Sequence, residues 1–414
     1  MGRRRPRAGW VILAVVITLG GLLGAGGRMT AATAAGDVCA PGANGLACAA
    51  QRLITVVLPG EAASPDTLFS RLTFTDTPAS ADSQLQVAVV QGAGRAPAYV
   101  SALHAQSPGL KVLAYQSLWL RPAADPAGVT TCLPGSGTYP SGWYLRADSG
   151  APELFNPAST SAHYAMDFGV GAYLRSCAQH ALSIAQSTGA DGIFLDGAPT
   201  SVRWAQLPLP CAVASATCAS DAAWQNAMSR ALTYLAAVLH AHGLLLFANI
   251  SGGNIDFCCR GGPTVWRRYL APLDGALEET WTYGTNGRPL PAREIQTGMA
   301  NVAWDEAHDK ATIVNDDVAG CQACIALGLA TELLVAQGRT SYDVAAGAYD
   351  RYATWWPTYR AAQRLGQALG DYIEQANGLL LRRFASGTIV VNDTAATVND
   401  PVLGRIPPHS GVLR

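Results

Sequence analysis

The chain has 414 residues, 49% of them hydrophobic and only 14% charged, with a formal net charge of -1. That composition supports a large packed core, excludes a mostly disordered chain and gives no electrostatic reason to expect nucleic acid as a partner. The length allows one large domain with an appendage, or two ordinary domains.

In chain order the first signal is N-terminal. Arg3, Arg4, Arg5 and Arg7 precede an apolar run from Trp10 to Leu23, and AATAAGD follows with an A-x-A-like site near Ala32 to Ala34. Residues 1–35 therefore read as a secretory signal peptide. The apolar run is shorter than the roughly 20 residues a membrane-spanning helix needs, so membrane attachment is expected only if the segment stays uncleaved. The ten cysteines all lie beyond it, and an oxidising compartment makes disulfides the expectation. Short loops suggest Cys39 with Cys48 and Cys211 with Cys218. Cys321-x-x-Cys324 has no second cysteine or histidine pair beside it, so no metal site is expected.

Eight short apolar runs follow: LITVVL, LQVAVVQ, KVLAYQ, DGIFLD, LLLFANI, GALEE, TIVNDD and ELLVAQ. RLTFTD competes with LITVVL for the first place, and AHYAMDF is a candidate extra strand. Segments of helical period separate the runs. Trp224, Met228, Leu232, Leu235 and Leu239 follow a cap candidate at Ser220 and Asp221, with Gly243 as the stop; Tyr173, Leu174, Cys177, Leu182 and Ala185 precede a stop at Gly189. Alternating strands and helices, with strands apolar on both faces, predict an α/β fold with a parallel sheet. The count favours a (β/α)8 TIM barrel over residues 50–372. Beyond it, Leu379 to Arg383 and Thr388 to Asn392 flank a Ser386-Gly387 turn, which predicts a small C-terminal antiparallel β domain over 376–414.

In such a barrel the chemistry sits at the C-terminal ends of the strands. Polar residues end these runs repeatedly: Gln116, Asp196, Asn249, Glu278 or Glu279, Asn315 with Asp316 and Asp317, and Gln337. Two runs share the form D-G-x-x-x-acid, Asp191 to Asp196 and Asp274 to Glu279. Strand side chains alternate faces; if Phe194 and Asp196 face inward, Leu277 and Glu279 do so in the same register, although a bulge would favour Glu278. Two carboxylates facing one mouth are what glycoside cleavage requires, one to protonate the leaving oxygen and one as nucleophile or base. Asp196 and Glu279 are thus the candidate catalytic pair. Tyr115, Gln116, Trp119, Asn249, Glu278, Trp281, Asp316 and Gln337 are candidate substrate contacts, the aromatic ones because they could stack on sugar rings. Asp191 and Asp274 open their strands at the opposite end and read as structural, and turn-stabilising roles are expected for Asp148 and Asp167.

The ordered series KVLAYQSL, GWYLRADSG, MDFG, GADGIFLDG, LLFANI, DGALEETW and RRFASGTIVVN resembles bacterial glycoside hydrolases of the hypothetical glycosyl hydrolase family 15, which are distantly similar to endo-α-1,4-polygalactosaminidase barrels. The resemblance runs from about Leu110 to the C-terminus. It implies a TIM barrel whose acids after the fourth and sixth strands are catalytic, which correspond here to Asp196 and Glu279; the Glu278-Glu279 doublet leaves the second choice open. Other chemistries fit poorly. QGAGRAP lacks the third glycine of a dinucleotide fingerprint, and no G-x-S-x-G elbow occurs. The expectation is a secreted, monomeric glycoside hydrolase acting on an extracellular carbohydrate without a cofactor. The alternative is a non-catalytic carbohydrate-binding or cell-envelope protein on the same scaffold.

Overall fold

The computed structural model describes residues 53–57, 85–90, 97–106, 110–122, 131–133, 139–146, 149–155, 163–202, 215–250, 262–284, 286–318, 320–345 and 357–414. The N-terminal segment, RLTFTD, Cys39, Cys48, Cys211 and Asp148 lie outside them. The elements run β1 (Leu53–Val57), β2 (Leu85–Val90), α1 (Pro97–Gln106), β3 (Lys111–Ser117), β4 (Leu120–Pro122), β5 (Leu154–Phe155), β6 (His163–Ala165), α2 (Gly171–Thr188), β7 (Gly192–Asp196), α3 (Asp221–His240) and β8 (Leu245–Asn249). They continue with α4 (Gly262–Leu270), β9 (Gly275–Glu278), α5 (Ala292–Ala307), β10 (Ala311–Asp317), α6 (Gln322–Val335), β11 (Thr340–Ala345) and α7 (Pro357–Gln363).

Eight strands form one parallel sheet in the order β1-β2-β3-β7-β8-β9-β10-β11. The sheet is curled, and its first and last strands come into contact. Its two faces bury different residues. Val87, Val89, Leu113, Phe194, Phe247, Leu277 and Ile313 pack together on the concave face. Ile193, Leu195, Leu246, Ala248 and Ala276 pack outward with the helices. Alternation along each strand produces both sets at once. The predicted caps hold: the Ser220 hydroxyl accepts from Ala223 N at the start of α3, and Gly189 takes a left-handed conformation, φ 72°, at the end of α2.

β4, β6 and β5 make a small antiparallel sheet in the excursion after β3, so the AHYAMDF segment supplies an extra strand outside the parallel sheet. Cys132 and Cys177 are disulfide-bonded, as are Cys321 and Cys324. Cys218 is also disulfide-bonded, with its partner outside the described residues. No group of metal-ligating side chains occurs among the described residues, and none of their helices is long and apolar enough to cross a membrane.

The eighth strand is not ELLVAQ. Glu332 to Val335 belong to α6, and the strand that pairs with β10 is β11, TSYDVA. The reason lies in the C-terminal region: β12 (Ile373–Glu374), β13 (Leu380–Phe384), β14 (Gly387–Asn392) and β17 (Ser410–Leu413) form a four-stranded antiparallel sheet, with β15 (Val398–Asp400) and β16 (Gly404–Ile406) as a separate hairpin. α6 contacts β10 and β11 on one side and β13, β14 and β17 on the other. It is therefore buried continuously from Leu327 to Val335. A helix covered on all sides has no polar stripe and reads like a doubly buried strand. The contact is close. A Cβ at Gly411 would come within 2.3 Å of Ala326 O. From β13, the buried Arg382 guanidinium donates to Leu333 O at 2.9 Å and Ala336 O at 2.8 Å, satisfying carbonyls that the last turn of α6 leaves without helical donors.

Candidate active site

The repeated D-G-x-x-x-acid motif has a structural explanation at its first two positions. Asp191 Oδ2 accepts from Val112 N of the neighbouring strand at 2.8 Å and bonds His104 Nε2 at 2.8 Å, while Oδ1 accepts from Lys111 Nζ at 3.1 Å. Asp274 repeats the arrangement one unit on: Oδ2 accepts from Leu246 N at 2.8 Å and bonds His240 Nε2 at 2.9 Å. Each aspartate thus ties its strand to the start of the preceding strand and to the end of the helix before that. The glycine follows from close packing. A Cβ at Gly192 would lie 2.2 Å from Leu245 O, and one at Gly275 would lie 2.6 Å from Ala311 O.

The other end of each motif reaches the C-terminal edge of the sheet. Phe194 and Leu277 lie on the concave face; Asp196, two residues beyond Phe194 in β7, follows that alternation, and Glu279 is the first residue beyond β9. Both are partly exposed although most of the residues around them are buried. Asp196 Oδ2 accepts from the Tyr115 hydroxyl at 2.6 Å and Oδ1 accepts from Asn249 Nδ2 at 3.0 Å. These partners are side chains on the two flanking strands, so the carboxylate is neither a helix cap nor a brace for its own loop. Tyr115 links the acids electrostatically: burial raises its pKa well above the usual tyrosine value, and the charges of Asp196 and, to a smaller extent, Glu279 push it further.

The glutamate doublet divides along the same alternation. Glu278 is 4% exposed, and its Oε1 accepts from Thr280 Oγ1 at 2.9 Å and Thr280 N at 3.3 Å. It braces the turn that follows β9, while Glu279, the next residue, is partly exposed.

Several predicted contacts lie elsewhere. Gln116 is fully buried beneath the helices because Leu113 and Tyr115 take the concave face. Trp281 is also fully buried, and its indole donates to Gly328 O on α6 at 3.0 Å; it anchors the loop and offers no stacking face. Trp119 is 3% exposed and packs edge-on against Trp224. It still shapes the site, because Gly197, with φ +83°, has room for only a hydrogen there: a Cβ would fall 2.5 Å from Trp119 Nε1. Asp316 points away from the mouth and accepts from Thr282 N at 2.7 Å, Tyr283 N at 2.8 Å and Thr282 Oγ1 at 2.5 Å. Burial pushes its pKa up to about 6, with those bonds opposing the rise. Gln337 precedes β11 at the far end of the sheet, where its N–H donates to Glu306 Oε1 at 2.9 Å. Its misplacement follows from the eighth strand. Asn249 is the predicted contact whose hydrogen bond reaches the acid directly, together with Tyr115.

Asp167 is structural: it accepts from Ser215 Oγ at 2.6 Å, Thr217 Oγ1 at 2.5 Å and Gly169 N at 2.9 Å, pinning the segment after β7 beneath α2. A half-exposed aromatic group that sequence patterns did not single out as a unit lies in the β3–α2 excursion. Tyr139 stacks on Trp143 with ring centroids 5.8 Å apart, and Arg121 sits 4.8 Å from the Tyr139 centroid.

A family model described as hypothetical glycosyl hydrolase family 15 matches residues 104–388. Among solved structures, the glycoside hydrolase domain of PelA from Pseudomonas aeruginosa is similar at 17% identity, over 72% of this chain and 96% of that one, with a TM-score of 0.46. The PgaB (BpsB) glycoside hydrolase domain from Bordetella bronchiseptica is similar at 14% identity, over 77% and 99%, with a TM-score of 0.47. The alpha-amylase AmyB from Thermotoga neapolitana is similar at 10% identity, over 82% and 85%, with a TM-score of 0.47. No curated protein matches the sequence.

Proposed function

The chain belongs to the hypothetical glycosyl hydrolase family 15, and from that premise we propose that it hydrolyses O-glycosidic bonds of an extracellular poly- or oligosaccharide, with Asp196 and Glu279 as the working carboxylates at the mouth of a closed (β/α)8 barrel. What supports this reading is that Asp196 and Glu279 are both partly exposed at the C-terminal end of the sheet and that the charges of both act on the buried Tyr115 hydroxyl. They stand on β7 and just beyond β9, with only β8 between. Two strand spacings set their backbones roughly 10 Å apart. Side chains converging from that separation can bracket a glycosidic bond in either geometry, about 5 to 5.5 Å apart for retention or about 6.5 to 9.5 Å for inversion.

The hydrogen bonds suggest the division of labour. Asp196 accepts on both oxygens from donors, an arrangement suited to a carboxylate that attacks the anomeric carbon or draws a proton from water. Glu279 then protonates the departing oxygen and, in a retaining reaction, later activates the water that releases the glycosyl group. The supporting groups stand on rigid strands, which keeps the carboxylate of Asp196 oriented before substrate arrives. Export is proposed from the arginine-led apolar segment at the N-terminus, and the two described disulfides are consistent with an oxidising compartment.

The test is reducing-end release from a panel of α- and β-linked extracellular polysaccharides, compared for the wild type, Asp196→Asn and Glu279→Gln. Release by the wild type and loss of roughly a hundredfold or more in each variant is expected. Wild-type turnover in either variant would remove that residue from the mechanism, and sugar binding without release by the wild type would favour a non-catalytic binding protein.

A further inference from the structure

We propose that Tyr115 is a positioning residue of the reaction: its hydroxyl fixes Oδ2 of Asp196, so that this carboxylate meets the sugar in one orientation. The inference rests on the two acids being the working pair.

Three observations converge on it. Tyr115 stands directly beside Phe194 in the β3–β7 register, two residues before Asp196 on the neighbouring strand. Its ring lies alongside that of Phe194 with centroids 6.1 Å apart and an interplanar angle of 23°, which holds the phenol upright toward the mouth. Its hydroxyl donates to Asp196 Oδ2 at 2.6 Å, the short distance expected when a hydroxyl bonds a carboxylate. Asn249 occupies the other oxygen from the opposite strand. The two donors therefore fix the plane of the carboxyl group from both sides.

Chemistry gives the hydroxyl a constant role. Burial, followed by the charges of both acids, keeps the phenol protonated well beyond the neutral range, so it remains a donor and does not compete as a base. When Asp196 carries its charge, the O–H bond stabilises that form. When a sugar displaces water from the mouth, a short bond of this kind strengthens as the local dielectric falls. Tyr115 thereby holds the attacking group in place without touching the bond that breaks.

Tyr115→Phe tests this, because phenylalanine keeps the packing on Phe194 and removes only the donor. On a substrate that the wild type cleaves and Asp196→Asn does not, kcat is expected to fall about ten- to hundredfold with little change in KM. The acid limb of the pH profile of kcat/KM is expected to move to higher pH, because the variant removes a donor to the charged carboxylate. A purely structural tyrosine would leave that limb in place. Unchanged kcat with an unmoved acid limb would overturn the role of Tyr115 while leaving the paired acids intact. Retained turnover in Asp196→Asn would instead remove the pair, and this inference with it.

Discussion

The two ends of the parallel sheet use the same residue type for opposite purposes. At the N-terminal end, Asp191 and Asp274 each receive a backbone N–H and bond a histidine from a neighbouring helix. Five residues later, Asp196 and Glu279 are partly exposed at the other end, and the hydrogen bonds of Asp196 come from side chains, Tyr115 and Asn249. A carboxylate that satisfies backbone amides is committed to the fold. Asp196 is held by side chains and stays partly exposed, which on the proposed function leaves a face for a reactant. The difference is therefore made by what each acid binds, and mutations should separate the two ends cleanly.

The largest effect is expected at the open end, where Asp196→Asn and Glu279→Gln should abolish turnover with the fold retained. At the closed end the order of effects reverses. Asp191→Ala is expected to lower stability by about 1 to 2 kcal/mol in urea unfolding, the scale of lost hydrogen bonds to a partly exposed carboxylate, while turnover per folded molecule stays near wild type. Equal losses of activity at both ends would erase the distinction. The pH dependence carries a sign. Burial raises the pKa of Asp191, but the bonds from Val112, His104 and Lys111 outweigh it and leave the value lowered. Its contribution is thus present above the unfolded pKa and fades as acid takes the pH below it.

A third acid sharpens the comparison with the opposite sign. Asp305, at the end of α5, is fully buried and accepts from Trp266 Nε1 at 3.0 Å and Thr312 Oγ1 at 2.8 Å. Burial pushes its pKa up to about 7 despite those bonds. The folded chain then holds a proton that the unfolded chain has released, so this contribution is complete below about pH 4 and is lost as the pH rises to about 7. Asp305→Asn should gain stability relative to the wild type across that interval; parallel stability curves would show that the carboxyl is not protonated in the fold. The smallest effect is expected at Gln337. Its side chain stands at the closed end, and Gln337→Ala should leave kcat/KM within about twofold, the range of ordinary surface changes.

Much of this arrangement was legible beforehand, and the failures have identifiable causes. Period-two alternation across DGIFLD and DGALEE placed Phe194 and Leu277 on one face, where they pack together, because the register of a strand fixes every second side chain. The same rule predicted that Glu278 would turn away. The antiparallel pair β13 and β14 was visible from two short runs around Ser386 and Gly387, which pair as expected. ELLVAQ misled because the C-terminal sheet covers the side of α6 that solvent would otherwise mark with polar residues. Trp281 and Asp316 misled for a related reason. Trp281 follows the end of β9 and Asp316 stands near the end of β10, but one donates into α6 and the other receives the backbone of the loop after β9.

Sequence by itself determined the alternation of strands and helices, the faces of the central strands, the doubled acid motif and membership of a glycoside hydrolase family, since each depends on local spacing or on the order of short motifs along the chain. Tertiary structure decided which acids remain open, which aromatic side chains are walled in and where the last parallel strand lies. Those outcomes depend on neighbours far away in the chain: Tyr115 reaches Asp196 across 81 positions, and Arg382 closes the end of α6 from 46 to 49 positions beyond it. Spacing along a strand encodes direction, but only packing determines what a side chain meets there.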